Sequence, residues 1–307
     1  MEKFVVTYAP FTKSPNDINK MFAYTALMLL LPAVFGTIFF GFNAIFVVLT
    51  AVLVCFISEA FFNLLSKGKF KTDDISFLVT GLVLGVTMPV KMPLHIVAIS
   101  AFIATFIIKM VFGGLGRNKF NPALVGRLFA GVLASGLATN LYEVNVNGEV
   151  LASLSEGGEN LLFNLFTGKA VGGIGTTCIA LIIVSYVFLV YMSVIDWKIP
   201  LFSVIAYFVT AYFVCGMEHA ILNVCSGSFL FVSVFMLTDP NTSPNTFLGK
   251  FVYSVLFGAL SAVLWNIGLM GEDTIFVVAM IVNVLVPFMD KYLIIKQKPL
   301  GGYRYAH

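Results

Sequence analysis

Three short segments hold most of the residues whose types and spacing suit chemistry. The first is Gly172-Gly173-Ile174-Gly175-Thr176-Thr177-Cys178. Threonine hydroxyls at the start of a helix satisfy backbone N–H groups as caps. A hydroxyl left uncovered by neighbouring glycines is also what a phosphoester attachment needs, so Gly175, Thr176 and Thr177 are candidate binding residues. The second segment runs from Gly113 to Ala123, with Gly114, Gly116, Arg117, Asn118, Asn121 and Pro122 inside it. Asn121 suits an N-cap and Pro122 the first helical position. The glycines let backbone amides approach an anion or a cofactor phosphate, which makes Gly114, Asn118 and Asn121 candidates. A tight inter-helix turn with basic anchors explains the same residues. The segment is not a GxGxxG turn after a strand, so a dinucleotide-binding reading has no support. The third segment, Leu237 to Thr246, has Asp239 as its only acid. Neighbouring hydroxyls give Asp239 company for coordinating a cation through oxygen or bonding a flavin edge. A capped turn leading into the next helix is the alternative.

The elements that must position these segments are membrane helices. Of 307 residues, 59% are hydrophobic and only 11% charged, far from the usual soluble balance of about half apolar and a quarter charged. Most apolar residues fall in runs of about 18–22, the length that crosses roughly 30 Å of hydrocarbon. A soluble enzyme, a secreted disulfide scaffold and a disordered chain are excluded. Ten spans are expected, at 21–40, 43–64, 75–89, 94–112, 122–140, 176–195, 199–216, 219–238, 250–270 and 274–294. The fold class is therefore an all-α polytopic membrane protein. With the N-terminus inside, all basic residues except Lys91 and Lys169 lie at or near the inner face, and both termini are cytoplasmic. Acids such as Glu143, Glu218, Glu272 and Asp273 then fall in the outer loops. The net charge of +3 is too small to suggest nucleic acid.

Thr87-Met88-Pro89 lines up with Thr238-Asp239-Pro240 and Pro93 with Pro244 at one offset, while Ser76-Phe77-Leu78 matches Ser228-Phe229-Leu230 one residue further. The matches put helices three and eight at the same position in two halves of five. An odd count turns the second half over, which gives an inverted repeat. The single membrane domain thus reads as a first half (1–140), an outer loop (141–175), a second half (176–294) and a cytoplasmic tail (295–307). Ionisable residues within spans cost roughly 2.5–3.5 kcal/mol at a helix centre, so each is a functional candidate. Glu59 and Lys109 lie near inner helix ends, where snorkelling accounts for the lysine. Arg127 sits one turn into helix five, and Asp290 beside Lys291 reads as an interfacial pair. His95, His219 and His307 have no metal-ligand spacing, and the four cysteines read as small buried apolar residues.

Thr80-Gly81-Leu82-Val83-Leu84, the Gly113–Ala123 segment, the Thr238-Asp239-Pro240…Thr242-Ser243-Pro244 stretch and the early Ser14-Pro15 together resemble the D subunit of the Rnf complex. The B subunit of the sodium-pumping NADH:quinone reductase is related to it. The resemblance covers about residues 14–294, and Gly-Arg-Asn-x-Phe-Asn-Pro-Ala is its most specific part. It implies a membrane electron carrier in an ion-pumping ferredoxin:NAD⁺ oxidoreductase, coupled to Na⁺ or H⁺ export, in the bacterial inner membrane. It also implies FMN joined through its phosphate to a threonine, within a pattern that looks like Gly-Ser-x-Gly-Glu-Thr-Ser. Thr177 takes that place, on the outer face by the charge count. The sequence departs at Gly173, Thr176 and Cys178, so Thr176 stands beside it as a second hydroxyl. A non-covalent riboflavin, membrane and soluble partner subunits, a flavin transferase and membrane lipid complete what the resemblance implies. A small-solute channel built on the repeat and a purely structural anchor are the competing functions.

Overall fold

The computed structural model describes residues 18–72, 74–118, 120–135, 163, 166–168, 172–225, 228–268 and 272–294, and all regular structure among them is helical. α1 (Ile18–Phe40) and α2 (Phe42–Lys67) meet at Gly41, whose φ of 79° suits the absence of a Cβ. α3 (Ser76–Thr87) has 12 residues, about 18 Å at ~1.5 Å per residue, too short to cross ~30 Å of hydrocarbon. α4 (Leu94–Phe102) continues as a π-helix over Ile103–Val111. α5 (Pro122–Ala134) and α6 (Ile179–Tyr191) are also short. α7 (Lys198–Cys215) leads to α8 (Met217–Cys225). α9 (Phe229–Phe231) runs into a second π-helix, Val232–Met236. α10 (Phe247–Ile267) and α11 (Asp273–Ile294) close the described chain.

By length and composition, six of these can span a bilayer: α1, α2, α4 with its π continuation, α7, α10 and α11. The span expected at 219–238 is described as α8 up to Cys225 and as helix again from Phe229, with Ser228 in a turn before it. The span expected from 176 becomes helical only at Ile179, since the glycine-rich residues before it pack as irregular chain. Residues 136–140, most of the 141–175 loop and the 295–307 tail lie outside the described residues.

The packing is that of a lipid-facing bundle. Phe42 and Phe213 are 81% and 80% exposed, while Ser203, Ser254 and Ser261 are fully buried. Lipid supplies no hydrophobic drive between helices, so close backbone approach at small residues supplies the contact. A Cβ on Gly81 of α3 would stand 2.6 Å from Val52 Cα of α2, and one on Gly258 of α10 would stand 2.4 Å from Ser203 O of α7. Phe229 stacks on Phe257 at 5.2 Å, joining the start of α9 to α10.

Candidate functional site

The candidate residues fall into two separate groups at opposite ends of α3. The threonine segment is docked against the end of that helix. Ile174 N donates to Met88 O at 3.0 Å and Gly175 N to Val86 O at 2.9 Å. The terminal carbonyls of a helix lack intrahelical partners, so this loop caps α3. Gly172 leaves room beside the threonines, where a Cβ would stand 3.0 Å from Thr176 Oγ1 and 3.1 Å from Thr177 Cγ2, while Gly173 and Gly175 serve close packing. A Cβ on Gly173 would meet Thr87 O at 2.6 Å, and one on Gly175 would meet Val86 Cγ1 at 2.3 Å and Pro32 Cβ at 3.0 Å. On the facing side Gly36 of α1 admits Ile174 O. Pro32 lies about 12 Å from the end of α1 at ~1.5 Å per residue, so the loop sits below the helix ends. Irregular backbone at that depth is tolerated only when buried in protein, and residues 172–178 are all buried.

The two threonines differ in what their hydroxyls do. Thr176 Oγ1 accepts from Gly173 N at 2.9 Å and turns back toward Gly173 O at 3.4 Å, closing a local turn. Thr177 is 5% exposed, and its hydroxyl has no hydrogen-bond partner among the described residues. Neither threonine caps α6. Cys178 holds the N-cap position, with no side-chain cap bond.

Beside this loop lies Arg127, which is 1% exposed. Its Nε donates to Thr87 O at 3.1 Å, its Nη2 pairs with Asp273 Oδ1 at 2.5 Å, and its guanidinium lies 4.6 Å from the Phe276 ring centre. The charge count assigns Arg127 and Asp273 to opposite faces, yet they form an ion pair. A long side chain starting five residues into α5 reaches Asp273, the first residue of α11. Glu272, next to Asp273, accepts from Ser228 N at 3.2 Å and Ser228 Oγ at 3.1 Å at the start of α9. Burial pushes the Glu272 carboxyl up to about 7, against the opposing pull of the Ser228 bonds and of Arg127.

The second group lines a cavity of about 330 Å³ at the other end of α3. Its polar wall includes Thr80, Lys109, Asn118, Asn121, Thr238 and Asp239, set among apolar residues of α1, α3, α6 and the π-helix after α9. Asn121 caps α5, accepting from Ala123 N at 3.1 Å and Leu124 N at 3.3 Å. Its Nδ2 also donates to Met236 O at 3.2 Å, which ties the start of α5 to the end of the π-helix after α9. Asn118 donates to Gly114 O at 3.0 Å and Lys109 O at 3.3 Å. Gly114 itself stands outside the wall, and its N–H is spent on Lys109 O at 2.9 Å. The glycine amides at 113 and 114 therefore close the α4 end and do not point at a ligand. Asp239 closes its own turn, accepting from Asn241 N at 3.1 Å and Thr242 Oγ1 at 3.4 Å. Burial pushes its carboxyl above the usual carboxylate range.

Lys109 does not snorkel. It is 2% exposed and sits 2.5 Å from Glu59 Oε2, which is 1% exposed, with Ser76 Oγ in contact and Asp74 Oδ1 at 3.7 Å. Both residues stand out in the sequence, but their pairing across 50 positions does not. Asp290 also differs from its expected role: it receives Asn245 N at 3.1 Å and Asn245 Nδ2 at 3.2 Å, holding the turn after Asp239.

The sequence profile described as the NQR2, RnfD, RnfE family matches residues 5–299. The D subunit of the proton-translocating ferredoxin:NAD(+) oxidoreductase complex of Clostridium ljungdahlii is 27% identical, over 94% of this chain and 94% of its own length. The corresponding D subunit of the Na(+)-translocating ferredoxin:NAD(+) oxidoreductase complex of Acetobacterium woodii is 28% identical, over 94% of this chain and 92% of its own. That of the ion-translocating oxidoreductase complex of Mannheimia succiniciproducens is 27% identical, over 94% of this chain and 96% of its own.

Proposed function

The chain belongs to the NQR2, RnfD, RnfE family, and from that premise we propose that it is the D-type subunit of an ion-pumping ferredoxin:NAD⁺ oxidoreductase with FMN esterified to Thr177. The observation that carries the assignment is the contrast between the two hydroxyls. Thr176 is committed to its turn, whereas Thr177 Oγ1 is available to become the phosphoester oxygen. Bound there, FMN supplies electron-carrier chemistry that a dissociable flavin would not keep in place through turnover. The protein's part is to hold the ester on a loop pinned to α3 and to bury it from water.

A second, non-covalent flavin such as riboflavin suits the cavity at the other end of α3. Its volume of about 330 Å³ falls within the ~300–1,000 Å³ usual for ligand sites, and its wall mixes apolar surface with a few amides and hydroxyls. Asn118, Asn121, Thr238 and Asp239 would hold the polar edges of such a ring. α3 separates the two sites by about 15 Å at ~1.5 Å per residue. In this reading the ten segments form two inverted five-helix halves, both termini are cytoplasmic, and Thr177 faces outward across the bacterial inner membrane. The basic inner loops dock soluble subunits, membrane subunits and lipid surround the bundle, and a flavin transferase loads Thr177. Electron transfer is coupled to Na⁺ or H⁺ export, the two ions named for relatives of nearly equal identity.

In-gel fluorescence of the denatured protein, expressed with its transferase, tests the assignment. Wild type and Thr176→Ala give a fluorescent band, and Thr177→Ala is dark. A dark wild type, or a band that survives Thr177→Ala, contradicts it. The short α3 also suits a small-solute carrier, since discontinuous helices line many transport paths. Solute uptake by reconstituted protein lacking flavin and partners would favour that reading.

A further inference from the structure

Three consecutive carbonyls at the end of α3 are met by donors from two different parts of the chain. Gly175 N takes Val86 O, Ile174 N takes Met88 O, and Arg127 Nε takes Thr87 O between them. The Thr87 hydroxyl does not compete, because it turns back to Val83 O and Leu84 O at 2.9 Å each. Gly173 packs directly on the Thr87 carbonyl, so the arginine and the loop meet at one peptide group. The same guanidinium reaches Asp273 and covers Phe276, which ties the end of α3 to α11. A guanidinium buried this deeply is costly unless every partner is in place.

We infer that Arg127 is the positioning residue of the Thr177 loop. Through Thr87 and Asp273 it fixes the helix end on which the loop docks, and so fixes where a group carried by Thr177 stands. The functional consequence rests on the flavin reading of Thr177; the docking itself does not. Arginine suits the task because its planar fork bonds two separate acceptors at once, whereas a lysine ammonium at the same position is a single point charge. A loop held this way is also closed to a large enzyme. With Thr177 5% exposed, flavin transfer takes place before the loop docks or while it is released.

Cys178 reports docking without any flavin, because it is 3% exposed and adjoins Thr177. The experiment uses the full chain in its assembled complex with Cys215 and Cys225 changed to Ser. It measures maleimide labelling of Cys178, in-gel flavin fluorescence and turnover. Arg127→Met is expected to raise the labelling rate about tenfold or more, since local opening becomes easier. The same variant keeps a wild-type fluorescent band while turnover falls about tenfold or more. Arg127→Lys follows Arg127→Met, and Asp273→Asn, which leaves the Thr87 bond in place, gives a smaller rise in labelling. If Arg127→Met does not accumulate, the Lys and Asn variants carry the comparison. Unchanged labelling in Arg127→Met or Arg127→Lys overturns the inference. So does faster labelling with undiminished turnover, or a lost band with Cys178 still protected. A Thr177 peptide that is bare in wild type removes the flavin reading instead, and the labelling rates alone then decide the docking.

Discussion

Replacing Lys109 by methionine removes a cation held within 2.5 Å of a carboxylate, in a place where neither residue is more than 2% exposed. Methionine keeps most of the lysine's volume, so the loss is electrostatic and not a packing void. Removing one partner of a buried ion pair typically costs about 3–5 kcal/mol, because the remaining charge stays in a poor solvent. Ser76 Oγ loses its contact with the ammonium as well but keeps Asp74 Oδ1, so it adds little to that cost. Changing both residues, Glu59→Gln with Lys109→Met, removes the buried pair together, leaves only the more exposed Asp74 carboxylate, and recovers much of the stability. The pair therefore gives a strongly non-additive double-mutant cycle. SDS-titrated unfolding of the detergent-solubilised protein, followed by circular dichroism, reads each variant. A single-mutant cost below about 1 kcal/mol with an additive double mutant would refute the reasoning, because that is how exposed pairs behave.

Two further outcomes are expected. Asn121→Ser keeps the α5 cap but loses the bond to Met236 O, which costs about 1–3 kcal/mol of unfolding free energy; Asn121→Ala adds about 1 kcal/mol for the cap. Equal costs for the two variants would mean that the cap contributes nothing. Glu272 binds its proton more tightly in the fold than its ordinary value of 4.5, so the folded state holds the extra proton between about 4.5 and 7. Its contribution to stability is full below that window and is lost as pH rises through it. Glu272→Gln should flatten the fall in melting temperature across that range, and an unchanged slope would contradict the assignment.

The membrane character, the short third helix and the Asn121-Pro122 helix start are legible in the sequence because each is a local property. Run length, turn residues and caps are written within a few positions of one another. The pairs that build the sites are not local. Glu59 finds Lys109 across α2 and the π continuation of α4, and Arg127 finds Asp273 across 146 positions, through packing that no spacing rule encodes. The role of Gly173 and Gly175 escapes the sequence for the same reason. A glycine beside a threonine looks like an uncovered hydroxyl until the neighbouring helix end that needs the space is known. The choice between Thr176 and Thr177 likewise depends on a turn bond that closes only in the folded loop. Both π-helical stretches, Ile103–Val111 and Val232–Met236, are invisible as apolar runs, yet each sends residues into the cavity wall. Such insertions arise where packing displaces the normal hydrogen-bond ladder, and they are frequent at functional sites.

Mass spectrometry of the peptide spanning residues 172–178, from protein made with its transferase, tests the central claim most directly. An increment equal to esterified FMN is expected, with fragment ions locating it on Thr177. An unmodified peptide, or an increment on Thr176, would contradict it.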